Sequence, residues 1–370
     1  MKVALILGTR PEAVKLAPVA LLMRESHDFS CTVLATGQQR EMLTEALAEF
    51  DLAPDIDLDV MQHNQSLAGL TARLLTRLEG AIEELKPDWI VVQGDTTTAM
   101  VGALTGFYKR SPVAHVEAGM RTGDNYSPFP EEVNRRIVSQ CAALHFAPTP
   151  ACRDNLLREG VPSARVLVTG NTVIDALLYI REQVRRHPSR LPDSLVGQLD
   201  GRRMLLVTSH RRESFGPRLE EICMALGELA QLYPDDALVL PVHPNPNVKG
   251  TIRRILGEHP NVLLIEPQPY RAFVELLDRA HLVLTDSGGI QEEAPSLGKP
   301  VLVLRDTTER PEGIASGNAL LVGTERYNIV ASARMVLEDA DLYRRMSHAA
   351  NPYGDGKAAA HIVEALRNYG

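Results

Sequence analysis

The feature of this sequence that most restricts its fold is the alternation of short apolar runs with longer amphipathic stretches along nearly the whole chain. The apolar runs lack a strict apolar–polar alternation, so they predict strands buried on both faces of a parallel sheet. Strands that alternate with helices in this way are typical of doubly wound α/β folds. The predicted strands are Val3–Leu7, Thr32–Ala35, Trp89–Val92, Val113–Val116, Leu144–Ala147, Val166–Val168, Met204–Val207, Ala237–Leu240, Val262–Ile265, Leu282–Thr285 and Val301–Leu304.

The predicted strands form two series with one plan. Val3–Leu7 opens the first series and Met204–Val207 the second, and each is followed by a small residue, a basic loop and a helix. A chain of 370 residues is long enough for two domains. We therefore predict two Rossmann-like domains that face a central cleft, with a boundary near Thr169–Asn171.

Charge and composition argue against several classes of partner. The net charge of −8 does not favour nucleic acid or an anionic membrane surface. The run Val3–Leu7 is too short for the apolar core of a signal peptide, and no stretch approaches the length of a membrane span. Because Cys31, Cys141, Cys152 and Cys223 form no C-x-x-C pair, reduced thiols in the cytoplasm are expected.

Common cofactor motifs are absent from the sequence. It has no G-x-G-x-x-G fingerprint, no P-loop, no H-E-x-x-H and no Cys/His cluster, so neither a nicotinamide nor a metal is predicted. The acidic pair in Asp57–Asp59 is interpreted as surface.

Polar side chains follow the predicted strands of the first domain. Asp95, Glu117 and Glu131 lie on three such loops, which makes a general acid–base set plausible. The alternatives are an N-cap for Asp95 and a favourable first-turn charge for Glu131. Arg10 and Lys15 border the first strand–helix turn, where either a ligand contact or solvated surface fits.

The second domain has a glycine-containing helix start after a predicted strand. In Ser287–Gly289, a capping hydroxyl and free backbone amides suit a phosphate, although such a loop also occurs without any ligand. Arg305 and Arg310 follow the next strand and add positive charge. His210 and His243 end two strands, where a catalytic and a packing role are equally open.

These segments together resemble the non-hydrolysing UDP-N-acetylglucosamine 2-epimerases, and the match runs in order over nearly the full length. The matching motifs are GTRPEAVKLAP (Gly8–Pro18), QGDTT (Gln93–Thr97), HVEAG (His115–Gly119), PEEVNR (Pro130–Arg135), GNTVID (Gly170–Asp175), TSHRRE (Thr208–Glu213), DSGGIQEEAP (Asp286–Pro295) and RDTTERPE (Arg305–Glu312).

The resemblance implies a glycosyltransferase-B type architecture and a homodimer. Its domains would be residues 1–168, residues 169–355 and a last helix in residues 356–370 that crosses back onto the first domain. The implied reaction interconverts UDP-N-acetylglucosamine and UDP-N-acetylmannosamine through elimination of UDP and its re-addition to a 2-acetamidoglucal. No cofactor, nucleic acid or membrane takes part.

The resemblance also assigns roles by position. It implies acid–base carboxylates, a catalytic histidine near the leaving diphosphate, cations at the sugar and phosphate, a diphosphate loop with a basic partner, a uracil site and a ribose-binding acid. In that order these are Asp95, Glu117 and Glu131; His210; Arg10 and Lys15; Ser287, Gly288 and Gly289 with Arg310; Gln268 and Phe273; and Glu293.

One departure concerns a second, activating substrate site. Relatives with this site have Gln-His-Arg after the second strand, whereas this chain has Gln39 before Arg40 in place of the histidine. Gln39 cannot supply a positive charge beside a diphosphate, so weakened activation is expected. Arg73 and His243, which are also linked to that site, are retained.

Three other functions stay open at this point. A hydrolysing epimerase would release UDP and free N-acetylmannosamine, and a glycosyltransferase would need an acceptor. A catalytically silent UDP-sugar sensor would make no product, but the intact Asp95, Glu117, Glu131 and His210 argue against it.

Overall fold

The computed structural model describes residues 1–62, 65–209, 216–242 and 245–369, and these residues divide into two compact units. Unit 1 comprises Met1–Tyr179 together with Tyr353–Gly370, and unit 2 comprises Ile180–Pro352. Among the described residues, no helix is long and apolar enough to cross a membrane.

Unit 1 is built on a parallel sheet, for which the described residues supply seven strands in the order β3-β2-β1-β4-β5-β6-β7. These strands are buried apolar segments, as the sequence pattern requires. The elements are β1 (Lys2–Leu7), α1 (Arg10–Glu25), β2 (Ser30–Ala35), α2 (Arg40–Ala48), β3 (Ile56–Asp57), α3 (Leu67–Leu85), β4 (Trp89–Gln93), α4 (Thr97–Lys109), β5 (Val113–Val116), α5 (Glu131–Cys141), β6 (Leu144–Ala147), α6 (Pro150–Arg158), a 3-10 turn (Ser163–Arg165), β7 (Val166–Val168), α7 (Thr172–Arg186) and, after the return of the chain, α16 (Ala358–Asn368).

Unit 2 repeats the plan, with a parallel sheet of six strands within the described part of the chain, in the order β10-β9-β8-β11-β12-β13. Its core lies between this sheet and the helices that flank it. The elements are α8 (Asp193–Leu199), β8 (Met204–Thr208), α9 (Pro217–Leu232), β9 (Ala237–Pro241), α10 (Pro246–Leu256), β10 (Val262–Ile265), α11 (Tyr270–Arg279), β11 (Leu282–Thr285), α12 (Gly288–Ser296), β12 (Val301–Val303), α13 (Pro311–Ala315), β13 (Ala319–Leu321), α14 (Arg326–Glu338) and α15 (Ala340–His348).

The predicted fold class of two Rossmann-like doubly wound domains is confirmed, and every predicted strand overlaps an observed one. The sequence pattern missed the two edge strands β3 and β13. Each is only two or three residues long, too short for a periodic signal. Asp57, which was interpreted as surface, ends β3, and its carboxylate pairs with Arg40 at 2.8 Å.

The boundaries of the two units differ from the predicted ranges because α7 spans the division. Val173 and Ile174 in its first half pack against Tyr353. Asp175 accepts hydrogen bonds from the amides of Ala358 and Ala359 at 3.2 and 2.9 Å, and thereby caps α16. These contacts assign the first half of α7 and the returning segment to unit 1, where α16 packs against α1.

Asp175 makes a testable contribution to the pH dependence of stability. Burial raises the pKa of Asp175 from 3.8 to about 6, against the opposing effect of the two amides. The folded state therefore holds this proton more tightly than the unfolded state, so the contribution of Asp175 to stability falls as pH rises from about 4 to 6.

We expect the free energy of unfolding of the wild type, relative to Asp175→Asn, to decrease by at most about 3 kcal/mol between pH 4 and pH 7.5. Urea denaturation at several pH values measures this difference, with Asp235→Asn as the control because Asp235 is exposed. Parallel pH profiles for wild type and Asp175→Asn would contradict the prediction.

Candidate active site

The strand order of unit 1 places the polar loops at one edge of the sheet. The order reverses between β1 and β4, and in doubly wound sheets ligands bind outside the carboxyl ends of the strands at such a switch point. The loops after β1, β4 and β5 all lie at this edge because the strands pair in parallel.

A buried carboxylate joins the loops after β1 and β4. Glu12, on the first turn of α1, accepts hydrogen bonds from the amides of Gly8 and Thr9 at 3.0 and 2.7 Å and from the Thr9 hydroxyl at 2.8 Å. Its second oxygen accepts from the hydroxyl of Thr96 at 2.7 Å. Burial raises the pKa of Glu12, whereas these hydrogen bonds lower it. Glu12 thus fixes the strand–helix turn that precedes Lys15.

Glu117, directly after β5, is a buried and paired carboxylate. The ammonium of Lys15 lies 2.6 and 2.7 Å from its two oxygens, and the side-chain amides of Gln93 and Asn171 also donate to it, the latter at 2.9 Å. The backbone φ of Glu117 is +62°, a conformation that costs a non-glycine residue energy and is found at functional sites. The expense of burying this charge is thus met by a cation and by hydrogen bonds.

Asp95 lies beside Glu117 and carries an opposite neighbour of its own. Its carboxylate pairs with the Arg135 guanidinium, and its backbone carbonyl accepts from the Asn134 side chain at 2.9 Å. Burial raises the pKa of Asp95; Arg135 opposes the rise, and Glu117 adds to it. The N-cap alternative for Asp95 is wrong, because Thr96 caps α4 by accepting from the amide of Ala99.

A neutral histidine holds the turn before Asp95. His115 on β5 is fully buried, and burial together with His145 lowers the pKa of His115 to about 3. Its Nε2 lies 2.7 Å from the carbonyl of Gly94, which can only accept, so the proton is on Nε2. Gly94 has a φ of +70°, which favours glycine. His115 therefore links β5 to the turn that presents Asp95.

Glu131 and Arg10 lie at the starts of two helices of unit 1. Glu131 is half-buried at the first residue of α5, one turn before Arg135. Arg10 is exposed at the first residue of α1, and its backbone amide donates to the side-chain carbonyl of Gln39 at 3.1 Å. The structure therefore brings Lys15, Asp95 and Glu117 together, with Glu131 on the helix that holds Asp95.

The predicted diphosphate loop of unit 2 is a helix start. Ser287 precedes α12, and its amide donates to the hydroxyl of Thr285 at 3.0 Å. The expectation that Ser287 caps α12 is wrong, since its side chain makes no capping hydrogen bond in the part of the chain that the structure describes. Gly288 is buried and Gly289 exposed, which leaves the backbone open at the start of the helix.

The other predicted residues of unit 2 are engaged with neighbours. Glu293 is buried and accepts from the hydroxyl of Tyr270 at 2.7 Å. Arg310 donates to Glu292 at 2.7 Å. Gln268 donates to the carbonyl of Glu266 at 2.7 Å, Arg305 pairs with Glu309 at 2.5 Å, and Phe273 is half-buried on α11.

The residues linked to a second substrate site are partly described. Arg40 pairs with Asp57 and Asp59, and Arg73 donates to the carbonyl of Val60 at 3.2 Å. The amide of Gln39 donates to the carbonyl of Gly8 at 2.8 Å. His210 and His243 lie outside the described residues.

Sequence reasoning missed the groups that hold the carboxylates in place. Glu12, Gln93 and Asn171 belong to the quoted motifs but received no role. The available signal was a polar side chain directly at the end or start of a buried element, a costly position unless the group is paired.

Comparisons with known proteins agree with this arrangement. A family model described as UDP-N-acetylglucosamine 2-epimerase matches residues 22–367. The UDP-N-acetylglucosamine 2-epimerases of Yersinia pestis and Escherichia coli K12 are 52% and 51% identical, each over 100% of this chain and 99% of its own length. The crystal structure of the Neisseria meningitidis UDP-GlcNAc 2-epimerase bound to UDP-GlcNAc superposes with a TM-score of 0.88 at 46% identity, and covers 100% of both chains. The chain therefore belongs to the UDP-N-acetylglucosamine 2-epimerase family.

Proposed function

We propose that this chain interconverts UDP-N-acetylglucosamine and UDP-N-acetylmannosamine without hydrolysis, by eliminating UDP and adding it back after proton transfer at carbon 2. The observation that carries the proposal is the group of Glu117, Lys15 and Asp95 at the carboxyl edge of the unit 1 sheet. The names of the relatives and the substrate bound in the Neisseria structure support the same substrate.

The chemistry needs this kind of group. The hydrogen on carbon 2 is not acidic, because that carbon bears no carbonyl, so its removal must accompany departure of UDP and growth of positive charge at carbon 1. A carboxylate then takes the proton, and cations stabilise the leaving diphosphate. For inversion, a second acid must return a proton to the opposite face.

Different surroundings suit the carboxylates to different tasks. Glu117 lies against an ammonium, which favours its ionised form, whereas burial raises the pKa of Asp95 and favours a proton there. We assign proton transfer to Asp95, Glu117 and Glu131, and contacts with the sugar and phosphate to Arg10 and Lys15. His210 would act on the leaving diphosphate.

Unit 2 is proposed to hold UDP. Backbone amides at Ser287, Gly288 and Gly289 would meet the diphosphate, with Arg310 as the charged partner. Glu293 would bind the ribose, and Gln268 and Phe273 the uracil. A homodimer in the cytoplasm remains part of the proposal, and sedimentation of the purified protein tests the dimer.

One experiment in heavy water tests the reaction. We expect the enzyme to convert UDP-N-acetylglucosamine into UDP-N-acetylmannosamine that carries deuterium at carbon 2, because an exchangeable carboxyl group delivers the proton. Proton NMR follows the loss of the carbon 2 signal in the product. UDP with free N-acetylmannosamine would identify a hydrolysing enzyme, and an epimer that keeps its original hydrogen would contradict exchange with water. No product without an acceptor would favour a transferase or a sensor.

A further inference from the structure

The inference concerns the orientation of Glu117, and it rests on the proposed function. A side chain at a φ of +62° stays in place only when its surroundings hold it there. Lys15 is a flexible side chain that is itself proposed to meet the substrate. Gln93 and Asn171 are neutral donors on fixed backbone, so they hold the carboxylate without titrating.

The direction of the Asn171 side chain is determined by its own hydrogen bonds. Its Oδ1 accepts from the amide of Val173 at 3.1 Å, in the manner of a residue that caps α7. Since Oδ1 is used in this way, Nδ2 is the atom that meets Glu117, at 2.9 Å. The reverse orientation would place two oxygens against each other.

The backbone of Asn171 is fixed to the returning segment of unit 1. Its amide donates to the carbonyl of Tyr353 at 2.7 Å. The preceding residue, Gly170, has a φ of +87°, and a Cβ there would lie 3.2 Å from Cα of Gly354. The close approach of these two backbones therefore sets where Asn171 stands, and Asn171 is only 2% exposed.

Capping alone does not require asparagine at this position. Asp caps a helix as well as Asn does, and it offers the same acceptor to Val173. What Asp lacks is the donor, so it would face Glu117 with a second carboxylate. The amide is needed for the contact with Glu117 and not for the start of α7.

We propose that Asn171 is a positioning residue for the epimerisation: its amide directs the Glu117 carboxylate toward the reacting carbon, keeps it ionised, and ties it to the segment that returns at Tyr353. The groups that face Glu117 and share in its ionisation are Lys15 from α1, Asp95 from the loop after β4 and His115 on β5. None of them repeats the neutral, fixed contact that Asn171 makes.

Two variants test the proposal through turnover and its pH dependence. For Asn171→Asp we expect kcat to fall about tenfold or more, and the acidic limb of the kcat/KM profile to move up by about one pH unit, because an added anion favours the protonated form of Glu117. For Asn171→Ser, which loses the donor without adding a charge, we expect kcat to fall about tenfold with KM within about threefold of wild type.

The controls separate positioning from folding and from the proposed function itself. Asn328→Asp adds the same charge at an exposed position of unit 2 and is expected to keep the wild-type rate and profile. Melting temperatures report folding. The proposal is overturned if both Asn171 variants keep kcat and the wild-type pH profile while their melting temperatures fall, since that result describes a helix cap. A wild type that makes no UDP-N-acetylmannosamine would instead refute the proposed function.

Discussion

Replacing Glu117 by glutamine is expected to lower kcat for epimerisation by about 10²- to 10⁴-fold, the usual range for loss of a general acid or base. The amide keeps the size of the side chain but cannot take a proton, and it leaves the ammonium of Lys15 without its counter-charge. UDP binding should change little, because its proposed contacts lie in unit 2. Initial rates by NMR and UDP titration by calorimetry measure the two quantities.

Two further substitutions make the Glu117 result specific. Glu117→Asp keeps the charge but withdraws it by one methylene group, so an intermediate rate would show that position matters as well as charge. Glu83→Gln removes an exposed carboxylate that pairs with Lys109 and should leave the rate unchanged. Turnover of Glu117→Gln within a few-fold of wild type would exclude Glu117 as an acid–base group.

The fold was predictable because parallel strands that are buried on both faces leave continuous apolar runs in the sequence. Runs such as Val3–Leu7 and Leu282–Thr285 therefore correspond closely to observed strands. The edge strand Ile56–Asp57 left no comparable signal, since it is short and only partly buried.

The carboxylates were predictable for a related reason. A parallel sheet brings the loops at its carboxyl edge together, so Asp95 and Glu117 could be placed near each other from the positions of β4 and β5 alone. The identity of their partners could not be placed in this way. Asn171 lies 54 residues from Glu117 in the chain, and its location depends on the return of the segment at Tyr353. Such contacts follow from the three-dimensional path and leave no local pattern.

The turn after β1 makes an unusually strict demand on one residue, which gives a second large effect. A Cβ on Gly8 would lie 2.3 Å from the Thr98 hydroxyl oxygen and 2.4 Å from that of Thr36. These threonines are fully buried, hydrogen-bonded to each other at 3.0 Å, and Thr98 also donates to Gln38. Neither hydroxyl can move aside without losing a buried partner.

We therefore expect Gly8→Ala to reduce the free energy of unfolding by about 2–4 kcal/mol, through overpacking and a broken buried hydrogen bond. The matched control is Gly80→Ala in α3, where a Cβ would meet no described atom outside its own helical turn within 4 Å. Because alanine favours the helix, this second change should stabilise the protein by up to about 1 kcal/mol. Guanidinium denaturation of both variants measures the two effects. Equal small changes of the same sign would show that the turn at Gly8 relaxes freely, and that Thr36 and Thr98 do not fix the loop on which Arg10 lies.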